Sequence, residues 1–239
     1  MKKIMIFLAA WKRPEITEIC FMGIERMRDN RMFDVDAMAV ISEPSMIDLC
    51  YKYGIKWCMH ENLPLGKKKN YGLTQAMTHQ FDYLLEIGSD DLVKNDIFEL
   101  YAPHFDAGKD VIGLSEFVMM NSVDGECRKW SHDTGAFGVG RAISRRALDG
   151  MKLDEGYKLW DDTINRGLDN NSNFRLAIAG FLGIRVHSDE PVAIDIKSDE
   201  NIHRYDFTPG GAPYDHGKAI SGLSYAEKCA LKSLSHVAV

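Results

Sequence analysis

Ile4 to Ala10 is an unbroken apolar run, the pattern of a strand buried on both faces. The period then changes. Ile16, Ile19, Cys20, Ile24 and Met27 recur at spacings of three and four, and Pro14 suits a first helical turn. Val35 to Ile41 predicts a second strand, Pro44 to Tyr53 a short helix closed by Gly54, and Lys56 to His60 a third strand. A loop over Asn62 to Lys69 leads to a helix over Asn70 to Phe81, with Tyr71, Thr74, Met77 and Phe81 inward. Tyr83 to Gly88 is a fourth strand. Strand and helix thus alternate through the first ninety residues, which predicts a parallel sheet with right-handed crossovers, covered by helices.

The second half is less regular. Val111 to Met120 reads as a strand, Val123 to Glu126 as a turn, and Cys127 to Trp130 as its return. Short helices are predicted over Ala142 to Leu148, closed by Gly150, over Asp161 to Gly167, and over Asn173 to Ala179. Ile184 to His187 and Val192 to Ile196 are strand-like, and Phe207 to Gly217 is a Pro- and Gly-rich loop. A last helix starts at Ser224, with Glu227 three residues on as a capping box. Its Ala226, Cys229, Ala230 and Leu234 share a face that could dock on the domain or on a second subunit. The fold class is α/β.

Composition narrows the functional classes. Hydrophobic residues make up 45% of the 239 and charged residues 27%, which excludes a disordered or fibrous chain. The net charge is −6, which argues against a protein devoted to coating nucleic acid, although a local basic groove is compatible with it. Five scattered cysteines form no C-x-x-C pair, a pattern of reduced thiols. Ile4 to Ala10 is too short for a good signal-peptide core, and no run approaches the ~20 apolar residues that span a bilayer. The expected location is the cytoplasm.

Four features could carry chemistry. Ser89-Asp90-Asp91 directly follows an apolar strand, where parallel sheets bind ligands. Adjacent carboxylates there either hold a divalent cation or cap a helix starting near Leu92. Lys67, Lys68 and Lys69 lie between Gly66 and Gly72 at a loop-to-helix junction, where free N–H groups favour an anion; the alternative is a solvated basic turn. Asp161 and Asp162 form a second acidic pair, either a general base or acid side chains at a helix start. His187 and His203 could add a metal ligand or a phosphate contact. There is no P-loop motif, no G-x-S-x-G and no H-E-x-x-H.

In order and spacing these stretches resemble glycosyltransferases of the GT-A fold, close to the family 2 type. The likeness rests on Trp11-Lys12-Arg13-Pro14 after the first strand, and on Asn70-Tyr71-Gly72 with Ala76 on the next helix. It rests also on Ser89-Asp90-Asp91 in the place of a D-x-D-type motif. The last part is Gly135-Ala136 through Ser144-Arg145-Arg146-Ala147, followed by Trp160-Asp161-Asp162. It covers roughly residues 1–170, and Asp195 to Ile202 resembles a stretch of phage-encoded relatives. The chain departs from the pattern at Gly88, where the family's first Asp would fall, and in having Asp161-Asp162 for Glu-Asp.

The resemblance implies one GT-A-like domain, a mostly parallel sheet flanked by helices. Residues 1–92 would form its nucleotide-binding half, and residues 93–239, mixed in structure, its acceptor-binding half. It implies transfer of a sugar from a nucleotide-diphosphate sugar to an acceptor hydroxyl with inversion. Asp91, with Asp90, would hold Mn2+ or Mg2+, with His187 or His203 as a late ligand. Asp161 or Asp162 would be the base. Arg13, Lys67, Lys69, Asn70 and Asp90 would bind the donor. The acceptor could be a glycan, a protein or a modified DNA base, and an oligomer is possible. The competing readings are a non-catalytic nucleotide-sugar binder or interaction protein, which would keep the fold without the chemistry, and a sugar nucleotidyltransferase. The last should carry a Gly-rich loop after the first strand, where Ala9-Ala10-Trp11-Lys12-Arg13 has none.

Overall fold

A computed structural model describes residues 1–131, 136–201, 205 and 211–234. The elements of the first half are β1 (Lys3–Ala10), α1 (Pro14–Arg28), β2 (Asp34–Ile41), α2 (Ile47–Lys52), β3 (Lys56–Met59), α3 (Leu65–Ala76), β4 (Tyr83–Glu86), β5 (Asp91–Val93) and α4 (Asp96–Asp106). Next come β6 (Val111–Leu114), β7 (Glu116–Asn121), β8 (Cys127–Ser131), β9 (Arg141–Ser144), α5 (Arg145–Asp149), β10 (Lys152–Leu153) and β11 (Gly156–Tyr157). The chain continues through α6 (Leu168–Ile178), β12 (Gly183–Val186), β13 (Ala193–Lys197), β14 (Ala212–Tyr214), α7 (His216–Ala219) and α8 (Tyr225–Leu234).

The alternating first half builds the expected parallel sheet. A seven-stranded sheet runs β12-β6-β9-β4-β1-β2-β3, and β9 alone is antiparallel to its neighbours. Because successive side chains of a strand point to opposite faces, β1 feeds both apolar layers. Ile4, Ile6, Leu8 and Ala10 enter one; Met5 and Phe7 enter the other. A second sheet, β14-β8-β7-β13-β5, shares its apolar layer with α1 and α8. Among the described residues no helix is long and apolar enough to cross a membrane.

Several predicted elements differ, each for a local reason. The run Val111 to Met120 is two strands, because the chain leaves the first sheet at Ser115 and enters the second. The predicted helix over Ala142 to Leu148 is strand β9 followed by α5, with Ser144 capping α5 by accepting from the Ala147 N–H. Asp161 to Gly167 forms turns, and α6 begins earlier than expected, at Leu168. The helix predicted from Pro44 starts as a 3-10 turn, Pro44–Met46, ahead of α2. The Pro- and Gly-rich loop contains β14 and runs into α7; its residues 207–210 lie outside the described residues.

Helix α3 starts five residues earlier than predicted and ends at Ala76. Its inward face is Lys68, Asn70, Gly72, Leu73 and Ala76, while Tyr71 is exposed. Gly72 sets the approach: a Cβ there would lie 2.7 Å from the Val40 Cβ, so α3 rests directly on the sheet.

The last helix docks on its own chain through a face rotated from the predicted one. Leu231 and Glu227 are buried, and Ala226 and Cys229 are exposed. Ser224 and Glu227 form the expected capping box, with Glu227 Oε2 accepting from the Ser224 N–H at 2.7 Å. The same carboxylate takes two bonds from Arg26 of α1, at 2.9 and 3.0 Å. Removing one partner of a buried ion pair leaves the other charge uncompensated. Glu227→Ala is therefore expected to lower stability by about 3 kcal/mol, and Ser224→Ala by about 1 kcal/mol. Urea unfolding of the two variants against the parent chain measures both.

Candidate active site

The carboxyl ends of β1 and β4 meet at a cleft of about 520 Å³. The turns after β1, β4 and β13 border it. After β1, Lys12 and Arg13 both take left-handed backbone conformations, with φ of 56° and 52°. Such conformations cost a non-glycine residue about 1–3 kcal/mol each and persist where neighbours over-determine them. Here the neighbours are visible. Arg13 Nη1 lies 3.0 Å from Asp90 Oδ2 and 2.8 Å from Asn201 Oδ1, and Nη2 lies 3.4 Å from Ser89 Oγ. The Asn201 amide also donates to Asp90 Oδ2. Between β4 and β5, Gly88 permits the tight turn. A Cβ on Gly88 would sit 2.5 Å from Asp90 Oδ1, so a side chain there would have to displace the Asp90 carboxylate.

Asp91 opens β5, and its Oδ2 accepts from the Gly88 N–H. Strand β13 pairs antiparallel with β5 in a register that puts Asp195 opposite Asp91. Oxygens of Asp90, Asp91 and Asp195 then lie within 4.8 Å of one another. Lys197, two residues along β13, pairs with Asp195 Oδ2 at 2.5 Å, while Asp195 Oδ1 is buried with no hydrogen-bond partner.

The electrostatics of the three acids differ. Burial would raise Asp90, but Arg13 and Lys197 hold it below its ordinary range. Asp91 is pushed well above its ordinary range by burial and by Asp195 and Asp90. Asp195 is raised to about 6, chiefly by burial, with Lys197 opposing. Three carboxylates with two facing cations leave the cluster short of positive charge.

The lysines divide their work. Lys67 is exposed, on the side of Asp162. Lys68 is fully buried, donating to the Ala10 carbonyl at 2.7 Å and to Asn62 Oδ1 at 3.1 Å. It borders the cleft, as does Lys69, whose ammonium pairs with Glu86 and lies 4.2 Å from the Trp160 ring centroid. Burial lowers Lys68 to about 7, with Glu43 opposing. The N–H groups at the start of α3, expected to meet an anion, are instead taken by the chain itself. Leu65 N–H donates to Asn165 Oδ1 and Gly66 N–H to the Ile164 carbonyl.

The loop that covers this helix start carries the second acidic pair. Asp161 accepts from Thr163 N–H at 2.8 Å and from its hydroxyl at 2.7 Å, an Asx turn. Asp162 accepts from Asn70 at 2.8 Å and from Lys158. Burial opposes it, yet Lys158 and Asn70 hold Asp162 below its ordinary range, so it is ionised at neutral pH. The Asn70 amide also donates to the Trp160 carbonyl at 2.6 Å, so it is spent on this loop.

Of the predicted site residues, the fold brings Arg13, Lys69, Asp90 and Asp91 to one cleft edge or its acid cluster. It does not bring His187 to the acids; its Nδ1 is 2.7 Å from Glu116 Oε2. His203 lies outside the described residues. Sequence reasoning gave no role to Asp195, Lys197 or Asn201 individually. The signal for the first two was present: an acid and a base two apart in an otherwise apolar strand point to one face.

No protein-family model and no curated protein matches the chain. Solved structures do match. A mannosyltransferase from Pyrobaculum calidifontis, in complex with GDP-Man and Mn2+, aligns over 98% of this chain and 73% of its own at 11% identity and a TM-score of 0.57. Residues 1–349 of S. aureus TarS align over 81% of this chain and 60% of theirs, at 13% identity and a TM-score of 0.55. The same TarS segment with UDP gives a TM-score of 0.57 at 12% identity, covering 82% of this chain and 61% of its own. The chain thus spans about three-fifths of the TarS segment. The fold is that of GT-A glycosyltransferases, as the sequence resemblance implied.

The depressed Lys68 has a thermodynamic signature. The unfolded chain holds this proton up to its ordinary value of 10.5, and the folded chain only to about 7. Between those values the unfolded state binds more protons, so stability rises with pH. Relative to Lys68→Met, the parent chain is expected to gain about 1.4 kcal/mol per pH unit in the middle of that window. Denaturant titrations of both proteins in steps from about pH 7 to pH 10 measure the slope. A flat difference would show that Lys68 does not carry it.

Proposed function

We propose that the chain is a metal-dependent glycosyltransferase that moves a sugar from a nucleotide-diphosphate sugar to an acceptor hydroxyl, with inversion. The observation that carries this reading is the convergence of three carboxylates at the end of β4, beside a cleft edged by Arg13, Lys68, Lys69 and Lys197. The donor set fits the ion. It is all hard oxygen, which suits Mg2+ or Mn2+. The buried, unpartnered Asp195 Oδ1 is an acceptor waiting for a cation. The structural neighbour that binds GDP-Man with Mn2+ supports the same reading.

Asp91 and Asp90 would hold the ion. When bound, it supplies Lewis-acid stabilisation of charge on the departing diphosphate. Arg13 holds Asp90 in place and keeps it ionised. Lys69 presents positive charge to the donor's phosphates or base, and Lys68 borders the same cleft from below the surface. Transfer is a direct displacement: the bond from the sugar's anomeric carbon to the diphosphate oxygen breaks as the acceptor oxygen bonds to that carbon. The acceptor's proton passes to a carboxylate. Both acids are held below their ordinary range, and Asp162 fills that role better than Asp161, because Asp161 is turned back on its own Asx turn. Asn70 and Lys158 position Asp162.

A thermal-shift titration with UDP, GDP, CDP and dTDP, each with Mn2+ or with EDTA, tests the donor site. One diphosphate is expected to stabilise the chain by ~2.7 kcal/mol at a hundredfold excess over its dissociation constant, and only with metal. No shift with any of the four would count against the reading. Once a donor and acceptor are found, Asp162→Asn is expected to lower turnover ~10²–10⁴-fold, with Asp161→Asn much less affected. A loss below about tenfold at position 162 would remove it as the base.

A further inference from the structure

The structure assigns Asp195 as a ligand of the divalent cation, and we propose that Lys197 is a resident counter-ion which that cation displaces and which then turns to the donor's diphosphate. The inference rests on the glycosyltransferase reading and adds to it two residues of β13.

Three observations carry it. The first is register: antiparallel pairing of β5 with β13 fixes Asp195 across from Asp91, so the two carboxylates are neighbours by backbone geometry. A like-charged pair directly opposite is unfavourable unless something of opposite sign lies between. The second is incomplete satisfaction. Lys197 binds Asp195 Oδ2, yet Oδ1 is buried and has no partner. A buried acceptor left unpaired carries its full desolvation cost. The lysine therefore compensates only half of this carboxylate, and a cation among the three acids would reach the other half. The third is placement. Lys197 is itself nearly buried, and it borders the same cleft as Arg13 and Lys69.

The charges then dictate an order of affinities. Asp90, Asp91 and Asp195 face Arg13 and Lys197, so the resident cations are already engaged by the acids and a diphosphate finds no spare positive charge here. A divalent cation supplies it. It also competes with the Lys197 ammonium for Asp195 and repels it towards the cleft. Once there, the ammonium meets whatever anion the cleft holds. Cation and diphosphate should accordingly bind with positive coupling, and by linkage each raises the other's affinity by the same factor. Lys197 opposes the first event and favours the second.

The test uses Mn2+ alone, then the nucleoside diphosphates, on the full chain. Mn2+ affinity is measured by calorimetry or by the EPR signal of free Mn2+ for the parent chain, Asp195→Asn and Lys197→Met. Asp195→Asn is expected to weaken Mn2+ at least tenfold. Lys197→Met is expected to bind Mn2+ about threefold tighter or better, and with Mn2+ saturating to bind the nucleoside diphosphate at least fivefold weaker. Should Asp195→Asn fold poorly, Asp195→Ser takes its place in the same comparison. Mn2+ affinity within twofold of the parent in the position-195 variant overturns the ligand assignment. Unchanged or weaker Mn2+ binding by Lys197→Met overturns the exchange. A parent chain that binds no Mn2+ overturns both. Diphosphate binding in EDTA then shows separately whether the donor site survives.

Discussion

Arg141 and Glu86 form the interaction on which the placement of the site depends. Both side chains are essentially excluded from water, and the guanidinium reaches Glu86 Oε2 at 2.6 Å. A buried ion pair is tolerable only when its remaining groups are satisfied. Here they are. Arg141 also donates to Ser172 Oγ at 2.7 Å and Asn173 Oδ1 at 2.6 Å, and Lys69 takes the other Glu86 oxygen. The node thereby joins β4, β9, α6 and α3. Strand β4 leads to Asp90 and Asp91, and α3 carries Lys68 and Lys69. Trp160, under the Lys69 ammonium, precedes the acidic pair on the loop. Burial raises Glu86 and the two cations lower it further, so the carboxylate stays charged where it is most deeply enclosed. Burial of the same kind holds Lys68 near neutrality, since no carboxylate lies in direct contact with it. The two lysines are adjacent in sequence and opposite in electrostatic fate.

That node explains why much of the site was legible and part was not. The alternating strands and helices of the first half announce themselves through period alone, and Ser89-Asp90-Asp91 stands out because it interrupts apolar sequence at a strand end. The inward face of α3 was not legible. Lys68 and Asn70 point in because the Ala10 carbonyl, Asn62, Trp160 and Asp162 supply their partners, and none of these is near them in sequence except Asn62. Arg141 drew no reading for the same reason: a charged residue in a central strand defies the apolar pattern unless its distant partners are known. The Asp161 stretch failed differently. Its bond to the Thr163 N–H is the one a helix start would make, but the Ile164 carbonyl accepts from the Gly66 N–H of α3, a partner far away in sequence.

The second sheet gives the site what the first cannot. Open parallel sheets place a ligand at the ends of their strands, but the end of β4 alone offers only the adjacent Asp90 and Asp91. Crossing to the second sheet through β5 brings β13 alongside, and with it an acid from a hundred residues later in the chain. The two sheets therefore meet at the acid cluster. Apolar packing above and below fixes their spacing: Leu92, Ile194 and Ile196 are fully buried beside the acids. Hydrophobic side chains thus hold together carboxylates that repel one another.

The left-handed backbone at Lys12 and Arg13 completes this logic. Its cost is met by the bonds that the Arg13 guanidinium makes to Asp90, Asn201 and Ser89. Asn201 in turn accepts from the Ser198 N–H and hydroxyl, one residue beyond Lys197. The turn after β1, the turn after β4 and the turn after β13 are therefore one hydrogen-bonded unit. Charge added at the acids acts on all three at once. Weakening the hold of Asp90 on Arg13 would release backbone strain at position 13, and moving Lys197 would pull on the turn that Asn201 closes. Strain of this kind lowers the cost of rearrangement at a site that must accept a charged ligand and let its product leave.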